Sequence, residues 1–153
     1  MQSNLVNNRF LFSNPTFGAI SFEESEGITI FKNLFTNSNP TIEPIQVKNN
    51  LEPILTSQNY ICNSQWVVQG TSVEPNMRID LYLAGAGPEI NIYKYLNSSF
   101  SNSDNTFSVN IEAENLHNVI ALATKTDGST SEFSNRLLLN NSCVRDLICF
   151  RWT

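Results

Sequence analysis

The sequence predicts an all-β protein in two parts, a short stacked repeat followed by a β-sandwich. The repeat is directly visible, because Ser13-Asn14-Pro15-Thr16 returns unchanged as Ser38-Asn39-Pro40-Thr41, 25 residues later. After the repeat, apolar residues that alternate with polar ones recur at sandwich spacing, separated by turn residues. Charged residues make up only 15% of the chain. Asn and Ser, which favour turns over helices, fill the polar positions instead.

Composition excludes some functions. The 153-residue chain carries a formal net charge of −5, which argues against nucleic-acid binding because that function usually needs a clustered basic face. No run of about 20 apolar residues occurs, so we expect no membrane span. The first six residues lack the basic and apolar regions of a signal peptide. We therefore expect the chain either to remain inside the cell or to be a piece of a longer secreted protein.

Residues 1–50 are predicted to form coils of a right-handed parallel β-helix. In each copy the Asn-Pro step imposes an extended or turn conformation, which marks a corner. Between the copies, Gly27-Ile28-Thr29-Ile30-Phe31 alternates as a strand does. The apolar positions that match across the 25-residue offset are Phe10 and Phe35, Phe17 and Ile42, Ile20 and Ile45, and Phe22 and Val47. Three short strands between corners, repeated at this period, describe one rung of such a helix.

The stretch NRFLFSNPTFGAISF…GITIFKNLFTNSNPT resembles the parallel β-helix repeats of large bacterial surface and secreted proteins. The resemblance implies that Asn side chains stack in ladders at the corners, with Asn8 on Asn33 and Asn14 on Asn39. Some proteins of this type are polysaccharide lyases or hydrolases, whose chemistry needs charged residues clustered on one coil face. The cluster found here, Glu23-Glu24-Ser25-Glu26, is interpreted as a solvated turn.

Residues 51–139 are predicted to form an immunoglobulin-like β-sandwich. A proline-containing stretch around residues 48–53 breaks the repeat and marks the boundary. Val119–Thr124 is apolar on both faces, as a central strand should be, and Asp127-Gly128 is a hairpin-type turn leading to a further strand. Residues Met77, Ile79, Leu81 and Leu83 share one face of an alternating strand, and other strands are predicted at 66–68, 90–96, 107–111 and 137–139. Residues 140–153 form a tail that could add an edge strand, pack at the junction or begin another element.

A second stretch, EPILTS…VVQGTSVEPNMRIDLYLA…TFSVNI…NVIALATKTDGSTSEFSN, resembles the immunoglobulin-like modules that follow β-helix coils in large bacterial surface proteins. The motifs fall on Gly70-Thr71, Pro75-Asn76 and residues 121–134, although one residue is missing between Asp127 and Gly128. The resemblance implies a mechanical role in which the module spaces, stiffens or presents an adhesive region. We expect Phe133 to pack in the core while Ser131 and Glu132 tie the turn.

Little in the sequence indicates reaction chemistry, so we expect no enzyme, no cofactor and no metal site. His117 is the one histidine, and its polar surroundings predict an exposed loop rather than a catalytic triad. The three cysteines lack the four-ligand spacing of structural zinc. They are expected to be buried or idle thiols, and a disulfide from Cys62 to Cys143 or Cys149 is the alternative if the protein is extracellular.

These observations favour a non-enzymatic structural or adhesive segment of a bacterial extracellular or cell-surface protein, which would need a signal peptide that this chain lacks. One alternative is a subunit that assembles with other copies of itself through the open end of the β-helix, whose backbone groups are unpaired. Another is a carbohydrate-binding module in which exposed Tyr82, Tyr93 and Tyr95 form an aromatic platform for a cell-surface glycan.

Overall fold

The protein is described by a computed structural model, which covers residues 3–12, 20–22, 28–37, 44–47, 49–85 and 92–141. Across these ranges every regular element is a β-strand, so the protein is all-β as predicted. The Ser-Asn-Pro-Thr corners fall outside the described residues, and so do Asn14, Asn39 and most of the predicted tail. None of the described residues belongs to a helix long and apolar enough to cross a membrane.

The N-terminal part consists of two successive repeats of three short strands. The first repeat contains β1 (Ser3–Val6), β2 (Arg9–Phe12) and β3 (Ile20–Phe22), and the second contains β4 (Ile28–Phe31), β5 (Leu34–Asn37) and β6 (Ile45–Val47). Each strand of the first repeat pairs in parallel with its counterpart in the second. The paired residues include Ser3 with Ile28, Arg9 with Leu34 and Ile20 with Ile45. The pairing register is therefore the 25-residue period of the sequence.

The corner between the first two strands of each repeat uses the same backbone device. Asn7 has a φ of 58° and Lys32, 25 residues later, has a φ of 55°. Both residues lie in the left-handed region, which Asn tolerates better than most side chains do. The corner is followed at once by Asn8 in the first repeat and Asn33 in the second. The repeat is thus conserved in backbone conformation as well as in sequence pattern.

The C-terminal part consists of antiparallel strands in two sheets that share one core. In order these are β7 (Ile54–Tyr60), β8 (Gln65–Thr71), β9 (Arg78–Ala84), β10 (Ile92–Phe100), β11 (Thr106–Glu112), β12 (Asn118–Thr124) and β13 (Leu137–Leu138). One sheet has the order β11-β8-β7, and the other contains β13-β12-β9-β10. The predicted face of Met77, Ile79, Leu81 and Leu83 packs into the core between them. Trp66 is fully buried there and donates its indole N–H to the carbonyl of Ala113 at 2.8 Å.

The larger sheet extends into the N-terminal part. β10 pairs with β5 through Ile92 and Phe35, and β5 pairs with β2, which gives the six-stranded order β13-β12-β9-β10-β5-β2. On the face away from the first core, β9 and β12 bury a second set of apolar side chains against the repeats. This second core contains Ile20, Ile30, Phe35, Ile45, Val47, Tyr82, Ala84, Ile92, Ile120, Leu122 and Phe133. The six-stranded sheet is therefore the middle of three layers.

Gly70 on β8 allows a close approach that other residues would block. A Cβ atom at this position would collide with the carbonyl oxygen of Ile54 and would lie 2.5 Å from Cζ of Phe107. Contacts this short require the backbone of β7 or the buried Phe107 ring to move. The glycine is thus needed for the packing of the three-stranded sheet.

We predict that Gly70→Ala lowers the free energy of unfolding by about 1–3 kcal/mol, because it overpacks the first core. The measurement is urea unfolding followed by tryptophan fluorescence, with Trp152 replaced by Phe so that the signal comes from the buried Trp66. Thr71→Ala is the matched control, since Thr71 is the exposed neighbour on the same strand. Equal stability of the two variants would contradict the expected overpacking.

Candidate functional site

The most elaborate local structure lies where the two parts meet, and we call residues 128–135 the junction segment. It follows β12 and was expected to open a hairpin strand after Asp127-Gly128. A regular strand does not form: β12 and the segment share a single isolated bridge, between Thr124 and Thr130, and β13 is only two residues long. The Asp127-Gly128 turn does form, with the N–H of Gly128 bonded to the carbonyl of Lys125 at 2.9 Å, and the chain returns antiparallel to β12 as far as β13. The residues between the turn and β13 do not form a regular strand, and their side chains explain why.

Two serines hold the junction segment against β12. The backbone N–H of Ser131 donates to the carbonyl of Ala123 at 2.8 Å, and its hydroxyl accepts from the N–H of Ala123 at 2.9 Å. Ser134 makes the same pair of bonds with Ala121, at 2.8 and 2.9 Å. Each serine hydroxyl accepts an N–H of β12 that the carbonyl of a paired strand would otherwise accept. The backbone groups of Ala121 and Ala123 are therefore hydrogen-bonded although the segment does not follow the path of a strand.

Thr130 and Glu132, on either side of Ser131, bond to the N-terminal repeats. Thr130 donates its backbone N–H to Ile28 and accepts from the N–H of Ile30 through its hydroxyl, both at 3.0 Å. Glu132 accepts the N–H of Val47 on β6 at 2.5 Å. Burial raises the pKa of Glu132, and the bond from Val47 partly offsets that effect. Glu132 therefore reaches the repeats, whereas the sequence led us to expect it to tie its own turn.

Phe133 takes part in a series of edge-to-face aromatic contacts that crosses the junction. Its ring centroid is 5.8 Å from that of Phe35 in the second repeat and 5.8 Å from that of Tyr82 on β9. The series continues from Tyr82 to Tyr95 and from Tyr95 to Phe31, each at 5.5 Å. Such pairs add to the free energy gained by burial alone. Phe133 packs in a core as expected, and that core is the second one, shared by both parts.

The junction segment also secures the start of the sandwich. Asn135 accepts the backbone N–H of Leu55 at 2.9 Å and donates its side-chain amide to the Leu55 carbonyl at 3.0 Å, so it imitates a neighbouring strand. Asn49, in the connection between the parts, donates to the carbonyl of Thr130 at 2.9 Å. The repeats, the connection and β7 are thereby all bonded to eight consecutive residues.

The aromatic platform expected for a glycan is not assembled from Tyr82. Tyr82 is fully buried, and its hydroxyl accepts the backbone N–H of Lys32 at 2.9 Å. Burial raises the pKa of Tyr82 well above its usual range. Tyr95 is half-buried against Tyr82, and the side chain of Tyr93 lies outside the described residues. The prediction of an exposed Tyr82 is wrong because the repeats cover the outer face of β9.

A charged cluster lies beside the aromatic series. Asp80 on β9 is fully buried, and both of its carboxylate oxygens accept from Nε of Arg78, at 3.1 and 3.0 Å. The Arg78 guanidinium lies over the Phe31 ring at 4.3 Å. Lys32 Nζ lies 5.0 Å from the Phe31 centroid and 4.9 Å from that of Tyr95. Two cations from different parts of the chain therefore converge on one buried carboxylate.

The two asparagines paired by the repeat are in direct contact. The side-chain oxygen of Asn33 accepts from the backbone N–H of Asn8 at 2.9 Å and from the Asn8 side-chain amide at 3.2 Å. Asn33 also donates to the carbonyl of Leu5 at 2.7 Å. Asn33 is 1% exposed, whereas Asn8 is exposed. The inner asparagine therefore bonds to the backbone on both sides of the corner above it.

The remaining predicted site residues do not gather into a site. Cys62 is half-buried, and Cys143 lies outside the described residues, as does Cys149. His117 is half-buried in a cleft of about 380 Å³, and its Nδ1 lies 3.3 Å from the carbonyl oxygen of Asn115. Ser64 and Glu114 line the same cleft. Within the described ranges no hydrogen bond joins Ser64 to His117, and no group of three metal-binding side chains occurs.

Comparisons with known proteins add little. No protein-family model matches the chain, and no curated protein matches it. Among solved structures the chain is similar to the chitinase ChiW from Paenibacillus sp. str. FPU-7, described as a bacterial cell-surface-expressed multi-modular enzyme machinery. The identity is 14% and the TM-score 0.28, over 88% of this chain and 14% of that one. A likeness at this level carries no argument about fold or activity.

The sequence did not predict the Arg78–Asp80 pair. It also did not predict that Thr130 bonds to the repeats or that Asn135 bonds to β7. Arg78 and Asp80 alternate with apolar residues, a pattern that normally indicates a solvent face. The apolar pattern of β12 could have predicted the buried pair, because a strand that is apolar on both faces indicates that the sheet is covered on both sides. Its neighbour β9 must then be covered as well.

We predict that Asn33→Ala lowers the free energy of unfolding by about 1–3 kcal/mol, because it leaves the backbone N–H of Asn8 and the carbonyl of Leu5 without the partner that the buried Asn33 supplies. Asn8→Ala, at the exposed end of the same pair, is the matched control and should change stability much less. Thermal unfolding of both variants measures the difference. Equal losses would show that burial does not decide the strength of this pair.

Proposed function

We propose that the chain is a non-enzymatic structural segment in which two coils of a right-handed parallel β-helix end on an immunoglobulin-like sandwich that caps them. The observation that carries the proposal is the covering of the second repeat. The junction segment bonds to β4 through Thr130, β10 pairs with β5, and Glu132 accepts from β6. All three strands of that repeat therefore meet an element of the C-terminal part, which is what a stacked repeat needs at its end.

The pairing patterns support both halves of this assignment. Parallel pairs at a fixed 25-residue offset on three sides are the arrangement expected of successive β-helix coils. A three-stranded antiparallel sheet packed on β13-β12-β9-β10 is the arrangement expected of an immunoglobulin-like sandwich. We place the protein at a bacterial cell surface or outside the cell because both parts resemble modules of such proteins.

A rigid joint is the property that a spacer or presenting scaffold requires. The second core, the aromatic series and the hydrogen bonds of the junction segment all cross from one part to the other. Linked domains with small polar interfaces move relative to each other, whereas a large apolar interface holds them together. The two parts are therefore expected to unfold together and to transmit force without bending at the connection, residues 49–53.

A second candidate function, self-assembly, rests on the edges of the first repeat. In the described residues β1, β2 and β3 each have one strand neighbour, and β2 ends the six-stranded sheet. The backbone N–H and C=O groups along such edges can pair with a strand of another chain. Because the second repeat is covered, only one end is available, and assembly would stop at a pair of molecules joined by these edges.

We predict that urea unfolds the protein in one cooperative transition, and that Phe133→Ala lowers its free energy of unfolding by about 3–5 kcal/mol. The reason is that Phe133 packs against both Phe35 and Tyr82 across the joint. Circular dichroism follows the whole chain, and tryptophan fluorescence, with Trp152 replaced by Phe throughout, follows the sandwich core through Trp66. Coincident transitions from both probes are expected.

The matched control is Phe100→Ala, since Phe100 is an aromatic residue that is 64% exposed. It should leave both transitions near their original positions. Two separate transitions in the unchanged protein would mean that the parts fold independently, and the proposed rigid joint would then be wrong.

A further inference from the structure

The carboxylate of Asp80 is a buried charge that lies on the outer face of β9. Arg78, Asp80 and Tyr82 occupy alternate positions of the strand and therefore share that face. Asp80 is fully buried, although neighbouring Arg78 is partly exposed. A buried carboxylate is costly unless it is paired, and the bonds from Arg78 supply only part of the hydration that water would give.

The cover over this face is supplied largely by the second repeat. The backbone N–H of Lys32 bonds to the Tyr82 hydroxyl at 2.9 Å, and the Phe31 ring lies 4.3 Å from the Arg78 guanidinium. The corner between β4 and β5 thus lies directly on the β9 face that carries Asp80. If the repeats separated from the sheet, this face and its carboxylate would be exposed to water.

The charged and titratable groups around Asp80 come from three elements. Arg78 and Tyr82 flank it on β9, Lys32 approaches from the second repeat, and Tyr95 on β10 packs on Tyr82. The residues paired with Asp80 on the neighbouring strands are Ser98 and Leu122, which do not titrate in this range. Asp80 is therefore the group in this set that titrates in mildly acidic solution.

We infer that Asp80 is a proton-linked latch: the repeats separate from the six-stranded sheet more readily once this carboxyl has lost its proton, so the junction is tighter in mildly acidic solution. This inference rests on the rigid joint proposed above and adds its regulation. The partner in the linkage is the solvent proton. No further ligand is required.

The direction follows from the two states of the carboxyl. Burial raises the pKa of Asp80 from 3.8 to about 6, and attraction to Arg78 and Lys32 opposes that rise. In the separated state the carboxyl meets water and its pKa falls back towards 3.8. Between these values the closed junction holds a proton that the open one has lost, so opening becomes easier as the pH rises through this interval. The stabilisation by the proton is complete below the lower value and lost above the upper one.

The test is hydrogen exchange of the Ile30 and Lys32 amides, whose bonds to Thr130 and Tyr82 break when the junction opens. The intrinsic rate at each pH divided by the measured rate gives the protection factor, which reports the opening equilibrium. Between pH 4.5 and pH 7.5 the protection factors are expected to fall by roughly 30-fold, from the two pKa values and the linkage relation. Constant or rising protection would overturn the inference.

Asp80→Asn keeps the shape of the side chain but cannot titrate. It should leave only the part of the fall that comes from Glu132, whose pKa is also raised by burial. Asp104→Asn is the matched control, because Asp104 is an exposed loop carboxylate bonded to Thr106. It should retain the full fall. An Asp80→Asn protein with the original pH dependence would overturn the inference.

A measurement on the unchanged protein covers the case in which Asp80→Asn does not fold. The carboxyl carbon of Asp80, followed by NMR, should titrate near pH 6, and titration at or below pH 4.5 would overturn the inference. The rigid joint is judged separately. Amides that are unprotected at every pH would contradict the joint itself, whereas protected amides without pH dependence would contradict only the latch.

Discussion

The structure depends on satisfying the backbone edge of the second repeat. A stack of parallel strands has hydrogen-bond partners only within the stack, so its last repeat presents N–H and C=O groups on three sides. Here β4 meets Thr130 of the junction segment, β5 meets β10, and β6 meets the Glu132 carboxylate of the same segment. A threonine, a strand and a carboxylate are three different solutions to one requirement. The middle position of the larger sheet and the second core both follow from them.

The irregular course of the junction segment is a consequence of bonding to two neighbours at once. A regular strand after β12 would pair with β12 through its backbone and would have few groups left for the repeats. Ser131 and Ser134 bond to β12 through their backbone N–H groups and, in place of a backbone carbonyl, through their hydroxyls, so the residues beside them are free to leave the strand path. Thr130 and Glu132 then reach the repeats, and Phe133 enters the second core.

The sequence predicted the periodic features well and the junction poorly. The 25-residue offset predicted the parallel register, and the alternation from Met77 to Leu83 predicted the first core. The sequence predicts a surface position for Tyr82 because an outward-facing polar or amphipathic residue gives the same pattern whether water or another layer of the protein covers it. The bonding of the junction segment depends on which neighbour each side chain meets, and neither propensity nor period contains that information.

Lys32 shows how the second repeat departs from the first where it meets the sandwich. The equivalent corner residue, Asn7, suits the left-handed conformation, whereas a lysine there costs free energy on the order of 1 kcal/mol. The amide of Lys32 bonds to Tyr82, and its ammonium group lies over Phe31 and Tyr95 near the buried Asp80. These contacts exist only at the junction, and they offset the strain of the corner. If the two corner residues were exchanged, the first repeat would carry a lysine without these contacts. The second repeat would carry an asparagine that cannot supply the ammonium group.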